Sequence, residues 1–395
     1  LADRLLPLPA EATAFVLGGG RDVDLPPSAP WAPADLKDGV HVRVADPNGD
    51  EVGLAVVDRD NAKLRVFATL ADAFPRIDGA LLGWRVERAL ALRRKLGLPG
   101  PEHAYRLLHG AGDGLPGFGC DVLGRHAVLY VYGAGLMFLG RQLAAAVQGF
   151  AQLEGVVVKL RARGGAEEVT QEVVGKPPEE RYVARESGVP FEIHPLGGLN
   201  HGRFTDMREQ RLGLHRFTAG ARVLNLFSYT GALSVTAARA GAASVTSVDT
   251  SAGVQAWARG NFGRANLNPD DKRYQFETGD AARFLARAGK DKERYDTVLI
   301  DPPTFSPARG TPWVLDRDYP DLIAKAAAVI PTDGTLWLAA NTHELGSLAR
   351  LAHKGLKLAG RTAAVLEQAG LPPEYPTVLA QAKDRYLQIC VLRLG

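Results

Sequence analysis

From residue 189 onward the chain alternates short apolar runs with stretches of helical period. Residues 222–227, Arg-Val-Leu-Asn-Leu-Phe, read as a strand that breaks at Ser228-Tyr229-Thr230-Gly231, and Leu233, Val235, Ala237 and Ala238 then open a helix. A second strand over 243–248 ends at Asp249, a third ends near Asp280, and the run 297–300 stops at Asp301. Residues 334–340 and 386–392 supply the last strands. Strands alternating with helices predict an α/β fold: a doubly wound, mostly parallel sheet with helices on both faces. The front of the chain reads differently. Residues 40–44 and 52–57 alternate around Asp46-Pro47-Asn48-Gly49-Asp50, the mark of a β-hairpin. Between the two lies a glycine-dense run over 105–117 and a strand at 127–132, which predict tight turns within a central α+β segment. The expected organisation is a β domain over 1–75, an α+β domain over 76–188 and the α/β domain over 189–395.

Composition narrows the classes. At 395 residues the chain is too long for one ordinary domain, and its 46% hydrophobic content excludes general disorder. No run approaches the roughly eighteen apolar residues of a membrane helix, and Asp3, Arg4 and Glu11 interrupt the first segment, so a cytoplasmic location without membrane contact is expected. Cys120 and Cys390 are the only cysteines and the nine histidines form no pair at ligand spacing, which argues against a disulfide framework or a metal site. The net charge of +3 is uneven: residues 1–75 carry seven basic and twelve acidic side chains, 76–190 fifteen and twelve, and 191–395 twenty-five and twenty. Phosphate-neutralising groups therefore belong to the later segments. Arg85, Arg88, Arg93, Arg94 and Lys95 are the densest cluster, readable either as the solvated face of an amphipathic helix or as an RNA-contacting one.

Two features carry chemistry. Asp301-Pro302-Pro303 places a carboxylate at the end of a buried strand, where open α/β sheets bind ligands, and follows it with a stiff turn suited to one wall of a flat pocket. Asp249 stands eighteen residues beyond Gly231, the arrangement that binds ribose hydroxyls in nucleoside-binding folds. The turn at 227–232 has one glycine and lacks G-x-G-x-x-G, and no Walker lysine follows. A nucleoside without phosphates, S-adenosylmethionine, fits better than NAD or ATP.

The stretch from Asn200 to the C-terminus resembles the ribosomal RNA methyltransferases of the RlmI type and the RlmK half of the RlmKL fusion. The resemblance runs through residues 202–208, 225–231, 247–251 and 301–306, in that order. It implies a Rossmann-like class I methyltransferase domain preceded by a small PUA-like β-barrel, with S-adenosylmethionine as cofactor and large-subunit ribosomal RNA as partner. A second copy of the chain is a further candidate partner. Carried over by position, Arg208 would hold the methionine carboxylate, Asp249 the ribose and Asp280 the adenine amino group. Phe204, Asn225, Phe227, Tyr229, Gly231 and Thr250 would complete the cofactor site. Asp301, Pro302, Pro303 and Asn341 would form the catalytic wall, with Phe305, Arg85 and Arg88 on the RNA.

The target base follows from what its chemistry demands. Cytosine C5 becomes nucleophilic only after a thiolate adds to the neighbouring carbon. RlmI-type sequences have that cysteine where this chain reads Ala339-Ala340-Asn341-Thr342-His343. Guanine N7 needs only positioning, and the RlmK half shares the residue types of Asp301 to Ser306 and of Asn341, while serine and asparagine stand there in place of Ala339 and Ala340. An exocyclic amine would call for an aromatic residue directly after the prolines, where Thr304 stands. Guanine N7 by direct in-line transfer is favoured. The alternatives are a cytosine-C5 enzyme using an unrecognised cysteine and a non-catalytic RNA-binding ribosome assembly factor.

Overall fold

The apolar alternation at the front of the chain folds into a hairpin, His41–Ala45 pairing antiparallel with Glu51–Asp58. Asp46 holds the turn by accepting from the backbone N–H groups of Asn48 and Asp50, both at 2.9 Å, and Gly49 supplies the φ of +95° it needs. The structure is a computed structural model that describes residues 4–33, 35–100, 102–161, 171–198, 200–306, 313–343 and 346–395. Two compact units divide the chain: Leu1–Gly188 with Ile193–His201 and Pro373–Asp384, and Val189–Glu192 with Gly202–Pro372 and Arg385–Gly395.

In the first unit the hairpin belongs to a five-stranded sheet ordered Leu5–Pro7, His41–Ala45, Glu51–Asp58, Lys63–Thr69, Asp22–Asp24. Residues 52–58 are buried without alternation because both faces are covered. Ala55 and Val57 pack with Leu6 and Val16, while Leu54 and Val56 join a larger core. That core also takes in Leu81 and Leu90 of the helix Gly79–Lys95 and Leu129 and Val158 of a second five-stranded sheet. Residues on either side of position 75 thus share one core.

The helix Gly79–Lys95 is capped by Asp78, whose carboxylate accepts from the N–H groups of Ala80 and Leu81. Its basic residues do not form one face. Arg88 is exposed and lies over the Trp84 ring at 4.8 Å. Arg85, expected on the RNA, is buried, 2.9 Å from Asp72 and donating to the Phe67 carbonyl, so it has a carboxylate partner inside the protein. Arg93 is likewise buried and forks onto Asp113 at 2.6 and 2.9 Å.

The segment Pro373–Asp384, late in sequence, is part of this first unit. Arg93 donates to the Glu374 carbonyl at 2.6 Å, and the Tyr375 ring sits 4.8 Å beneath the Arg106 guanidinium. A Cβ on Gly112 would lie 1.7 Å from the Pro376 carbonyl oxygen, so only glycine admits that backbone. Gln381 accepts from the Arg21 N–H and donates to Asp22.

The second unit is built on seven strands: β1 Arg222–Leu226, β2 Ser244–Asp249, β3 Tyr274–Thr278, β4 Thr297–Ile300, β5 Thr335–Asn341, β6 Ala363–Ala369 and β7 Leu387–Leu394. Their order is β3-β2-β1-β4-β5-β7-β6, parallel from β3 to β5, with β7 antiparallel to both β5 and β6. Five helices follow the strands: α1 Ala232–Arg239, α2 Ala252–Arg264, α3 Ala281–Lys290, α4 Leu315–Val329 and α5 Leu348–Leu358. Successive residues of the strands enter different cores. Leu224, Val298, Ile300, Leu336 and Leu338 pack under α3, α4 and α5, and Val223, Leu299, Trp337 and Val391 pack under α1 and α2.

Candidate active site at the strand tips

The carboxyl ends of β1, β2 and β3 are held together by side chains from the helices and turns that follow them. After Leu226 the chain turns through Phe227, Tyr229 and Gly231, with φ of +59°, +47° and +79°. Two non-glycine residues in the left-handed region mark a backbone that its surroundings dictate. Gly231 has no room for a side chain, since a Cβ would meet that of Ala258 on α2 at 2.9 Å. Asp249 at the tip of β2 fastens the turn: its oxygens accept from the N–H groups of Tyr229 at 3.0 Å and Ser251 at 3.1 Å. Each oxygen has capacity for a further donor.

Asn225, expected to line the cofactor turn, is buried in β1 and donates to the Ser234 hydroxyl on α1 at 2.9 Å; Ser247 donates to the same oxygen at 2.7 Å. It supports the turn from within the sheet. Gln255 on α2, which the sequence pattern did not single out, spans all three strand tips by donating toward the Ser228 hydroxyl and the Ser247 and Glu277 carbonyls. Thr250 is exposed, as is Asp280, whose carboxylate caps α3 by accepting from the Arg283 N–H at 2.9 Å. Phe204 is 42% exposed and its ring lies 5.4 Å from that of Tyr229, which in turn lies 6.4 Å from Trp257. Arg208 is buried at the start of the short helix Arg208–Gly213, with its guanidinium 2.7 Å from Glu209.

The second half of the site lies at β4 and β5. Asp301 follows β4 directly, with Pro302 buried and Pro303 exposed behind it. The Thr304 hydroxyl donates to the Asn341 carbonyl, joining the loop to the last residue of β5. Tyr319 on α4, also unmarked by the sequence pattern, is fully buried, and its hydroxyl is 3.1 Å from the Ile300 carbonyl and 2.8 Å from that of Ala339. One side chain thereby ties the strand ends that carry Asp301 and Asn341. Burial raises the Asp301 carboxyl to about 7; the neighbouring Asp206 adds to the rise and Arg211 opposes it. Asp206 accepts from the Tyr386 hydroxyl at 3.0 Å, and Arg211 donates to the Phe204 carbonyl at 2.7 Å. The side chain of Phe305, expected on the RNA, lies outside the described residues.

The arrangement therefore offers a carboxylate with acceptor capacity to spare at one pair of strand tips and a half-buried carboxyl with a rigid proline wall at the next. Among the described residues no three His, Cys, Asp or Glu side chains cluster as metal ligands, and no helix is long and apolar enough to cross a membrane.

The sequence profile of the S-adenosylmethionine-dependent methyltransferases matches residues 136–389. The chain is 27% identical to ribosomal RNA large subunit methyltransferase I of Klebsiella pneumoniae, over 95% of this chain and 96% of the relative. The protein of the same name in Aeromonas salmonicida is 29% identical over 76% of each chain. Among solved structures, SMU.776, described as a methyltransferase complexed with SAH, superposes over 100% of both chains with a TM-score of 0.85 at 21% identity, a likeness of fold.

Proposed function

The chain belongs to the S-adenosylmethionine-dependent methyltransferase family, and from that premise we propose that it methylates N7 of a guanine in large-subunit ribosomal RNA by direct in-line transfer. The observation that carries this reading is the pocket wall at β4 and β5. Asn341 is tied through Thr304 to the Asp301 loop, and its neighbours Ala339, Ala340, Thr342 and His343 bring no thiol. Cytosine C5 would need one. Cys390 is buried in β7 opposite Leu338, Cys120 is buried in the first unit, and burial pushes both thiols up, away from the reactive thiolate. Guanine N7 carries its lone pair in the neutral base, so alignment suffices. An RNA substrate is supported by the names of relatives that match nearly end to end.

S-adenosylmethionine supplies an electrophilic methyl group when bound. The chain's own part is to hold and orient. Asp249 has acceptor capacity left on both oxygens for the ribose hydroxyls, Asp280 is exposed for the adenine amino group, and buried Arg208 is assigned to the carboxylate. Phe204, Phe227, Tyr229, Gly231 and Thr250 shape the walls. Asp301, Pro302 and Pro303 place the base. The front segment 1–75 is read as a PUA-like module, 76–188 as a central domain and 189–395 as the catalytic domain. Arg88, Arg94 and Lys95 are the exposed cations of the second segment assigned to phosphate.

Mass spectrometry of nucleosides from large-subunit RNA, isolated with and without the gene, tests the assignment. Loss of 7-methylguanosine is expected; loss of 5-methylcytidine instead would return cytosine C5 to first place.

A further inference from the structure

The indole N–H of Trp313 is buried and has no hydrogen-bond partner among the described residues. Trp313 begins the strand Trp313–Val314, which pairs antiparallel with Phe305–Ser306 just after the Asp301–Pro303 loop. Its ring packs against two residues of the site, 6.1 Å from Phe227 at the cofactor turn and 6.4 Å from Tyr319 between the tips of β4 and β5. A buried donor left unpaired is costly, and proteins seldom keep one without a reason. An indole N–H can only donate, so whatever satisfies it is an acceptor.

Two ligands meet at this place. The cofactor's polar groups are already provided for by Asp249, Asp280 and Arg208, at β2, β3 and the short helix before β1. Trp313 instead rides on the hairpin of the Asp301 loop and leans on Tyr319, which ties β4 to β5. We propose that the Trp313 N–H donates to O6 of the target guanine and so makes Trp313 the residue that separates guanine from adenine. Guanine presents an acceptor at position 6 and adenine an amino donor, and O6 and N7 share one edge of the base. A donor at O6 orients that edge and leaves the N7 lone pair free for the methyl group. The inference rests on the guanine-N7 reading.

Trp313→Phe keeps an aromatic ring and removes the N–H. Single-turnover methylation is compared on two RNA fragments that carry the target nucleotide as guanosine or as 2-aminopurine riboside, which retains N7 and lacks O6. Wild type is expected to favour guanosine by about tenfold in kcat/KM, the scale of one lost hydrogen bond to a neutral group. In Trp313→Phe the guanosine rate should fall to the 2-aminopurine rate, with S-adenosylmethionine affinity unchanged. Trp313→His, which keeps a ring N–H, should restore part of the preference. A variant that slows both substrates equally marks Trp313 as structural and overturns the inference. So does weakened S-adenosylmethionine binding, which would put the donor on the cofactor. A wild-type product other than 7-methylguanosine, read from the same reactions, would instead fail the guanine reading itself. Failure of the Trp313 role alone would show as 7-methylguanosine made by both proteins with the preference intact.

Discussion

Asp301 is held between two protonation states by its surroundings, and the sign of the effect on stability follows. Its folded-state value of about 7 lies above the ordinary 3.8 of an exposed aspartate, chiefly through burial. Its stabilising contribution is therefore complete below pH 4 and is lost as pH rises toward and through 7. Asp301→Asn, which mimics the protonated acid, should melt progressively higher than wild type between pH 4 and 7, with the gap constant above that. A gap independent of pH would mean that Asp301 ionises normally. Asp301→Ala should lower the single-turnover rate on the order of 100-fold through misplacement of the base, with cofactor affinity nearly unchanged. A near-normal rate per folded molecule would reduce Asp301 to a loop fastener. Asp249 is a different case, because it binds the turn through Tyr229 and Ser251 as well as facing the ribose. Asp249→Ala should weaken S-adenosylmethionine binding by roughly 1 to 3 kcal/mol in calorimetry.

At the level of elements, α4 sets the distance between the tips of β4 and β5 through Tyr319. Tyr319→Phe should cost about 1 kcal/mol of stability, the usual worth of such a bond. The rate should fall more than stability predicts, on the order of tenfold, because the spacing of Asp301 and Asn341 is no longer fixed. An unchanged rate would confine Tyr319 to packing. The strand-turn-helix units that present Asp249 and Asp301 were legible in the sequence because β-branched and apolar stretches ended at carboxylates, with helical period following the turn. Tyr319, Gln255 and Trp313 were not. Helical period marks a position as inward or outward, while the carbonyl that a Tyr319 hydroxyl meets is settled by packing against strands about twenty residues away on either side. Arg85 misled for the same reason: a charge in an amphipathic helix reads as outward unless its buried partner, Asp72, is known.

Across the whole molecule, the absence of a thiol at the pocket wall makes a further claim. Replacing both Cys120 and Cys390 by alanine should leave the folded enzyme active, with some stability lost to two small buried cavities. No stalled adduct should form on RNA containing 5-fluorocytosine. Abolished activity in a folded double mutant would contradict the direct mechanism. The α/β character was visible along most of the sheet of the second unit, with one exception at its edge: β6 opens with the short apolar run Ala363–Leu366 yet is mostly exposed, and its polar second half breaks the pattern. Nor did any pattern mark Pro373–Asp384 as a component of the first unit, since its ties are scattered contacts to residues far off in sequence, among them Arg21, Asp22, Arg93, Arg106 and Gly112. That membership has a consequence for how the protein is made. A nascent chain emerges from its N-terminus, yet the first unit lacks its final piece until residue 384 has been synthesised. Its earliest part must therefore wait, incomplete, while most of the second unit is made, and a stop codon anywhere before Pro373 would damage both units at once.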